Sequence, residues 1–117
     1  MSKEFVLVED EKLWIEIFSD IAKREGYELR AVLTTPDKAA SDLENELEKG
    51  NPKMIVCDGL SGKYQEVQRI SQARNVKFVL FTADDYRVRS TRKDGGIAFD
   101  KVNGDELFKY LKENLEN

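Results

Sequence analysis

Met54-Ile55-Val56-Cys57-Asp58-Gly59-Leu60 sets four consecutive apolar residues directly before an acid and a glycine. A strand exposed on one face alternates apolar and polar side chains, whereas one covered on both faces reads as an unbroken apolar run. Met54 to Cys57 is of the second kind, which predicts a parallel strand sandwiched between helices. Working outward, Glu4 to Val8 and Val76 to Phe81 read the same way. Leu29, Ala31 and Leu33 alternate as a second strand, and Ile97 to Phe99 forms a fifth. Between these runs the apolar spacing changes to three and four, the period of a helix stripe. It does so at Leu13, Trp14, Ile17, Phe18 and Ile21, then at Ala39, Ala40, Leu43 and Leu47. It recurs at Tyr64, Val67 and Ile70, and at Leu107, Phe108, Leu111 and Leu115. A short polar helix is expected over Asp85 to Arg92.

The punctuation agrees. Gly26 stands where a helix C-terminal cap belongs, and Thr35 reads as an N-cap with Pro36 in the first turn behind it. Gly50-Asn51-Pro52 and Gly95-Gly96 stop helices two and four. Strand and helix alternate five times, and each parallel connection needs a crossover helix. The predicted class is α/β, a doubly wound five-stranded parallel sheet with helices on both faces.

The chain has 117 residues, 40% hydrophobic and 36% charged, which suits one domain over residues 1–117. Its longest apolar runs are strand-sized and too short for a bilayer, and no apolar stretch of leader length precedes the first strand. A single cysteine excludes an internal disulfide and fits a reducing compartment, so a cytoplasmic protein is expected, without membrane contact. The apolar neighbours Ile55 and Val56 mark Cys57 as an inert strand thiol. A net charge of −4 argues against nucleic acid as a direct partner. Arg87, Arg89, Arg92 and Lys93 are interleaved with acids and read as a solvated helix face. The absence of histidine excludes a histidine-based triad, an imidazole zinc site and a phosphohistidine on this chain.

Open α/β sheets bind ligands beyond the carboxyl ends of their strands. Strand one ends in Glu9-Asp10 with Glu11 next, strand three in Asp58 and strand four in Thr82, while Lys101 follows strand five. Singly, each has an ordinary explanation as a helix-start acid or a turn-capping hydroxyl. Together they bring three acids, a hydroxyl and a cation to one edge. Clustered carboxylates repel unless something positive intervenes, and a hard divalent cation such as Mg2+ is suited to oxygen ligands. The same set is what phosphoryl transfer onto a carboxylate requires. Asp58 is then the nucleophile, Asp10 and Asp58 hold the metal, and Thr82 and Lys101 bind the phosphoryl oxygens.

These motifs resemble, in order and spacing, the receiver domains of two-component response regulators. Phe5 to Glu11 resembles the opening strand with its acidic pair, and Met54 to Asp58 the phosphoacceptor strand. Phe78 to Ala83 resembles the hydroxyl-bearing strand, and Phe99-Asp100-Lys101 the lysine motif. The resemblance implies a flavodoxin-like strand order 2-1-3-4-5 and a phosphorylation-dependent signalling switch. It implies that Asp58 accepts phosphate from a histidine kinase or histidine phosphotransfer protein. Asp10 would ligate Mg2+, Glu9 would act on it through water, and the carbonyl of Leu60 would be a third protein ligand. Any activity would be self-directed, and the signal would pass to a downstream protein.

Three departures accompany the resemblance. The loop after Asp58 is short and lacks the family's Met-Pro pair, and Lys101 is followed by Val102 where the family has proline. A cis bond at Lys101-Val102 would cost roughly 3–4 kcal/mol, so a trans bond is expected. Ala98 occupies the position of the family's switch aromatic, and Phe99 next to it should face the other side of the sheet. The Ala98 and Val102 substitutions favour an alternative, a pseudo-receiver that serves as a phosphorylation-independent interaction module, and the intact set of Glu9, Asp10, Asp58, Thr82 and Lys101 opposes it. A phosphatase of the haloacid-dehalogenase type would need a second aspartate where Leu60 stands.

Overall fold

The computed structural model describes residues 3–115; Met1 and Ser2, part of the segment read for a leader, lie outside it. Five strands alternate with five helices: β1 Glu4–Val8, α1 Lys12–Glu25, β2 Glu28–Leu33, α2 Ala39–Leu47, β3 Met54–Cys57, α3 Tyr64–Ala73, β4 Lys77–Thr82, α4 Asp85–Lys93, β5 Ile97–Asp100 and α5 Gly104–Leu115. The strands form one parallel sheet in the order β2-β1-β3-β4-β5. The predicted α/β class and strand order are both present. No helix among the described residues is long and apolar enough to cross a membrane.

β3 is buried along its whole length, and β1 and β4 are buried from their second residue onward, because both faces are covered. Phe5, Leu7, Met54, Val56, Val79 and Phe81 point to one side, where α1 and α5 close over them with Phe18, Ile21, Leu107, Leu111 and Leu115. Val6, Val8, Ile55, Cys57 and Leu80 point to the other, against Leu43 and Leu47 of α2, Tyr64 and Val67 of α3, and Val88 of α4. The two-residue period of the strands thus distributes the unbroken apolar runs between two cores.

Local chemistry sets the boundaries. Gly26 ends α1 in the left-handed conformation, with φ at 75°, as a residue without Cβ readily does. Helix two starts after Thr35, as the sequence predicts, but with a tighter first turn and no side-chain cap. Thr35 precedes a single 3-10 turn over Pro36–Lys38, its side chain makes no capping bond, and the α-helix begins only at Ala39. The proline favours this tight turn, and the backbone supplies the bond, Lys38 N–H donating to Thr35 O at 3.0 Å. Asp84 caps α4, accepting from the backbone N–H groups of Tyr86 and Arg87.

Candidate functional site

The ladder between strands positions the acids. Val8 pairs with Cys57 as the last pair of β1 and β3, and Asp58 N–H donates to Val8 O at 2.8 Å. Glu9 N–H donates to Leu33 O at 3.0 Å. Glu9 and Asp58 are therefore held side by side, one residue beyond the strands. Across the sheet Thr82 pairs with Asp100, which puts Lys101 immediately past the same edge.

Lys101 brings the cluster together. Its Nζ donates to Asp58 Oδ1 at 2.8 Å and lies 2.9 Å from Glu9 Oε1 and 3.6 Å from Glu11 Oε1. The ammonium also faces the rings of Trp14 and Phe81 at 5.6 and 5.8 Å. Those aromatic faces exclude water while still attracting the cation. The side chain is left only 7% exposed.

Burial governs the ionisation. Glu9, 1% exposed, has its carboxyl pushed up to about 7, chiefly because burial disfavours the charge, with the Asp58 charge adding to it. The hydrogen bond from Lys101 opposes that shift. Burial alone would lower Lys101, but its bonds to Asp58 and Glu9 outweigh this and raise it above the ordinary lysine range. Burial, aided by the charges of Asp58 and Glu9, raises the Cys57 thiol well above its usual value. It is the inert strand cysteine that its apolar neighbours predict.

Asp10 is exposed and completes an acidic trio: carboxylate oxygens of Glu9, Asp10 and Asp58 come within 4.8 Å of one another. A Mg2+ octahedron has edges of about 3 Å and diagonals of about 4 Å, so small rotations would close this set on a metal that keeps several waters. Three carboxylates and one ammonium leave a formal charge of −2, which a divalent cation matches. Asp10 and Asp58 of the trio line a hollow of about 340 Å³, together with Thr35, Leu60, Ser61 and the exposed ion pair of Lys63 with Asp37. A larger hollow of about 500 Å³ lies between α3 and α4. Its lining is mostly amide and hydroxyl, including Gln65, Gln68, Gln72 and Ser90, and the carboxylate trio is not part of it. Charge marks the site here, and volume does not.

The loop after Asp58 is folded tightly. Leu60 N–H donates to Asp58 Oδ2 at 3.1 Å, and Leu60 O accepts from Lys63 N–H at 3.1 Å. Leu60 and Ser61 both have positive φ, 51° and 53°, a conformation costing a non-glycine residue roughly 1–2 kcal/mol. Leu60 is thus brought to the wall of the hollow beside Asp58. Thr82 is buried, and its Oγ1 accepts from Asp84 N–H at 3.2 Å, as a turn-capping hydroxyl does. A Cβ on Gly59 would lie 2.9 Å from that oxygen, so only glycine lets the backbone beside Asp58 approach Thr82.

The peptide bonds among the described residues are all trans, including Lys101-Val102, as expected. Ala98 is buried on the face of Leu80 and Val88. Phe99 points to the opposite face, where it meets Tyr110 at 5.3 Å. Two arginines correct the reading of α4 as a merely solvated face. Arg92 Nε donates to Ala98 O at 2.8 Å, covering part of the β5 edge. Arg87 lies over the Tyr64 ring at 5.8 Å and reaches Gly59 O at 3.5 Å. Arg89, paired with Asp85, is the solvated side chain that the sequence predicts. Trp14 and Phe81 were legible only as core positions, because nothing in a helix stripe or strand run shows which ring will border a cation.

No protein family matches the chain by sequence, and neither does any curated protein. Comparison of folds gives a clear result. A response regulator receiver domain protein (CheY-like) from Methanospirillum hungatei superposes with a TM-score of 0.72 at 19% identity, over 99% of this chain and 95% of that one. The fold is that of a response-regulator receiver domain. The response regulator TrrA from Thermotoga maritima, solved in complex with Mg2+-BeF, is 21% identical with a TM-score of 0.70, over 97% of this chain and 98% of its own. The anti-anti-sigma factor PhyR from Bartonella quintana matches at 17% identity and a TM-score of 0.71. That match covers 99% of this chain but only 48% of PhyR, so the receiver-like fold spans about half of that protein.

Proposed function

We propose that this receiver fold is a phosphorylation-dependent signalling switch with Asp58 as its phosphoacceptor. The observation that carries the reading is the placement of Lys101, bonded at once to Asp58 and Glu9, whose carboxylates cluster with that of Asp10 at the carboxyl edge of the sheet. The donor would be a phosphohistidine on a sensor kinase or a phosphotransfer protein. A carboxylate oxygen of Asp58 attacks phosphorus; a P–O bond forms, the P–N bond breaks, and the leaving imidazole takes a proton from water. Asp10, Asp58 and the Leu60 carbonyl would hold Mg2+, with Glu9 acting through water. When bound, the metal supplies positive charge against the phosphoryl oxygens.

Lys101 already touches Asp58 and needs no large motion to pair with a phosphoryl oxygen. The Thr82 O–H remains a donor while its oxygen caps the turn, so it can turn toward the phosphoryl group. The Mg2+-BeF complex of TrrA is the kind of state expected here. Binding of beryllofluoride, followed by NMR with and without Mg2+, tests the reading. Mg2+-dependent shifts around Asp58, Thr82 and Lys101, absent from Asp58→Asn, are expected; no binding at millimolar Mg2+ would overturn it.

One observation favours a second reading, a pseudo-receiver that acts as an interaction module without phosphate. Ala98 is buried where the usual aromatic switch would stand. That reading predicts partner binding that is identical for wild type and Asp58→Asn.

A further inference from the structure

Arg87 is a cation at this edge, on the Thr82 side of Asp58, that the phosphoacceptor chemistry above leaves unused. It is half-buried, its guanidinium resting over the Tyr64 ring of α3. A Cβ on Gly59 would lie 3.3 Å from Arg87 Nη1 and 2.9 Å from Thr82 Oγ1. A Cβ on Gly62 would lie 3.5 Å from Nη2. The guanidinium and the Thr82 hydroxyl thus share one side of the residue that follows Asp58, with the loop 59–62 beneath them.

Its hydrogen bonding is lightly committed. Nε pairs with Asp84 Oδ2 at 3.3 Å, and Nη1 donates to Gly59 O at 3.5 Å, the outer limit for such a bond. A guanidinium has five N–H donors in a planar fork suited to phosphoryl oxygens, so most of this fork is free. An acyl phosphate on Asp58 would add about −1.5 to −2 charges beside it. The carbonyl and the ring that now hold the fork are weaker partners than a phosphoryl dianion.

We propose that Arg87 is a second cationic ligand of phosphorylated Asp58, on the Thr82 side and distinct from Lys101, and that this contact carries the signal into α4. The inference rests on Asp58 being the phosphoacceptor. Arg87 belongs to the first turn of α4, and Asp84, its partner, caps that helix. Drawing the guanidinium off Gly59 toward the phosphoryl group pulls on the cap and the first turn together. This gives the helix a lever that does not need an aromatic at Ala98.

The test is a beryllofluoride titration with Mg2+ on wild type, Arg87→Ala and Arg87→Lys, with α4 amide shifts as a second readout. Wild type is expected to bind and to shift amides across Asp85–Lys93. Arg87→Ala should bind roughly 10- to 100-fold more weakly, the scale of a lost charge-assisted bond, with the α4 shifts gone. Arg87→Lys should recover part of the affinity, since charge returns without the fork. Equal affinity and equal α4 shifts in Arg87→Ala would overturn the inference while leaving the phosphoacceptor reading intact. Absence of binding by wild type would sink both. If Arg87→Ala does not fold, Arg87→Gln, which keeps the stem over Tyr64, takes its place with the same outcomes.

Discussion

The two faces of the sheet are built of unlike material. On the α1–α5 side the core is aromatic: Phe18 meets Phe81 at 5.8 Å and Phe108 at 5.7 Å, and Trp14 meets Phe81 edge-on at 4.9 Å. Such pairs add to area burial and fix ring orientation. On the α2–α3–α4 side the core is largely aliphatic, Ala98 is small, and a hollow of about 500 Å³ opens between α3 and α4. Lys101 rests on the aromatic side through Trp14 and Phe81, whereas Thr82 and Arg87 belong to the strand end and helix beside the hollow. The comparison teaches a division of labour. Ring packing borders the Lys101 side of the site, whereas α4, the helix that carries Arg87, borders open space toward α3.

The largest expected effect tests that contrast directly. Phe18→Ala should cost roughly 3–5 kcal/mol in urea unfolding, because it removes the ring that ties α1 to β4 and α5. Val88→Ala on the other face should cost only about 2 kcal/mol. Equal losses would erase the distinction between the faces.

Next comes Lys101→Met, which leaves the buried Glu9 and the half-buried Asp58 without their cation. At pH 8 it should cost roughly 3–5 kcal/mol. The loss should shrink toward pH 5, where Glu9 takes up a proton. A pH-independent loss would show that the pair is not what Lys101 compensates.

Glu9→Gln should act in the opposite direction in Mg2+-free buffer. The folded carboxyl, at about 7, stands above its ordinary value of 4.5. Its contribution is therefore complete below pH 4.5 and is lost as pH rises through 7. Relative to Glu9→Gln, wild type should lose about 3 kcal/mol over that window, measured by thermal or urea unfolding at several pH values. A flat difference would mean that Glu9 is not held protonated. Smaller again is Gly59→Ala, which presses a methyl against Thr82 Oγ1 and Arg87 Nη1. It should cost about 1 kcal/mol in stability and lower beryllofluoride affinity more visibly than stability.

The sequence made the backbone of this account legible. Unbroken apolar runs at Met54 to Cys57 and Phe5 to Val8, with helix-period stripes between, force a covered parallel sheet. Once the strands are placed, Glu9, Asp10, Asp58, Thr82 and Lys101 must reach one edge, because parallel strands all end there. What was not legible depends on side chains meeting across the fold. Trp14 lies on the same helix stripe as Phe18, and nothing local shows that it will border Lys101. Arg87 carries the sequence signature of a solvated helix face, yet helix packing turns it onto Tyr64 and Gly59. The helical path starts after Thr35 as read, but its first turn is 3-10, because Thr35-Pro36 is equally compatible with that tighter turn.

Whether Asp58 accepts a phosphoryl group can be read by mass spectrometry of the intact protein after incubation with phosphoramidate, a small P–N donor. Wild type should gain one phosphoryl group only when Mg2+ is present and lose it to hydroxylamine, as an acyl phosphate does, while Asp58→Asn should gain none. An unmodified wild type, or an equal gain in Asp58→Asn, would contradict the account.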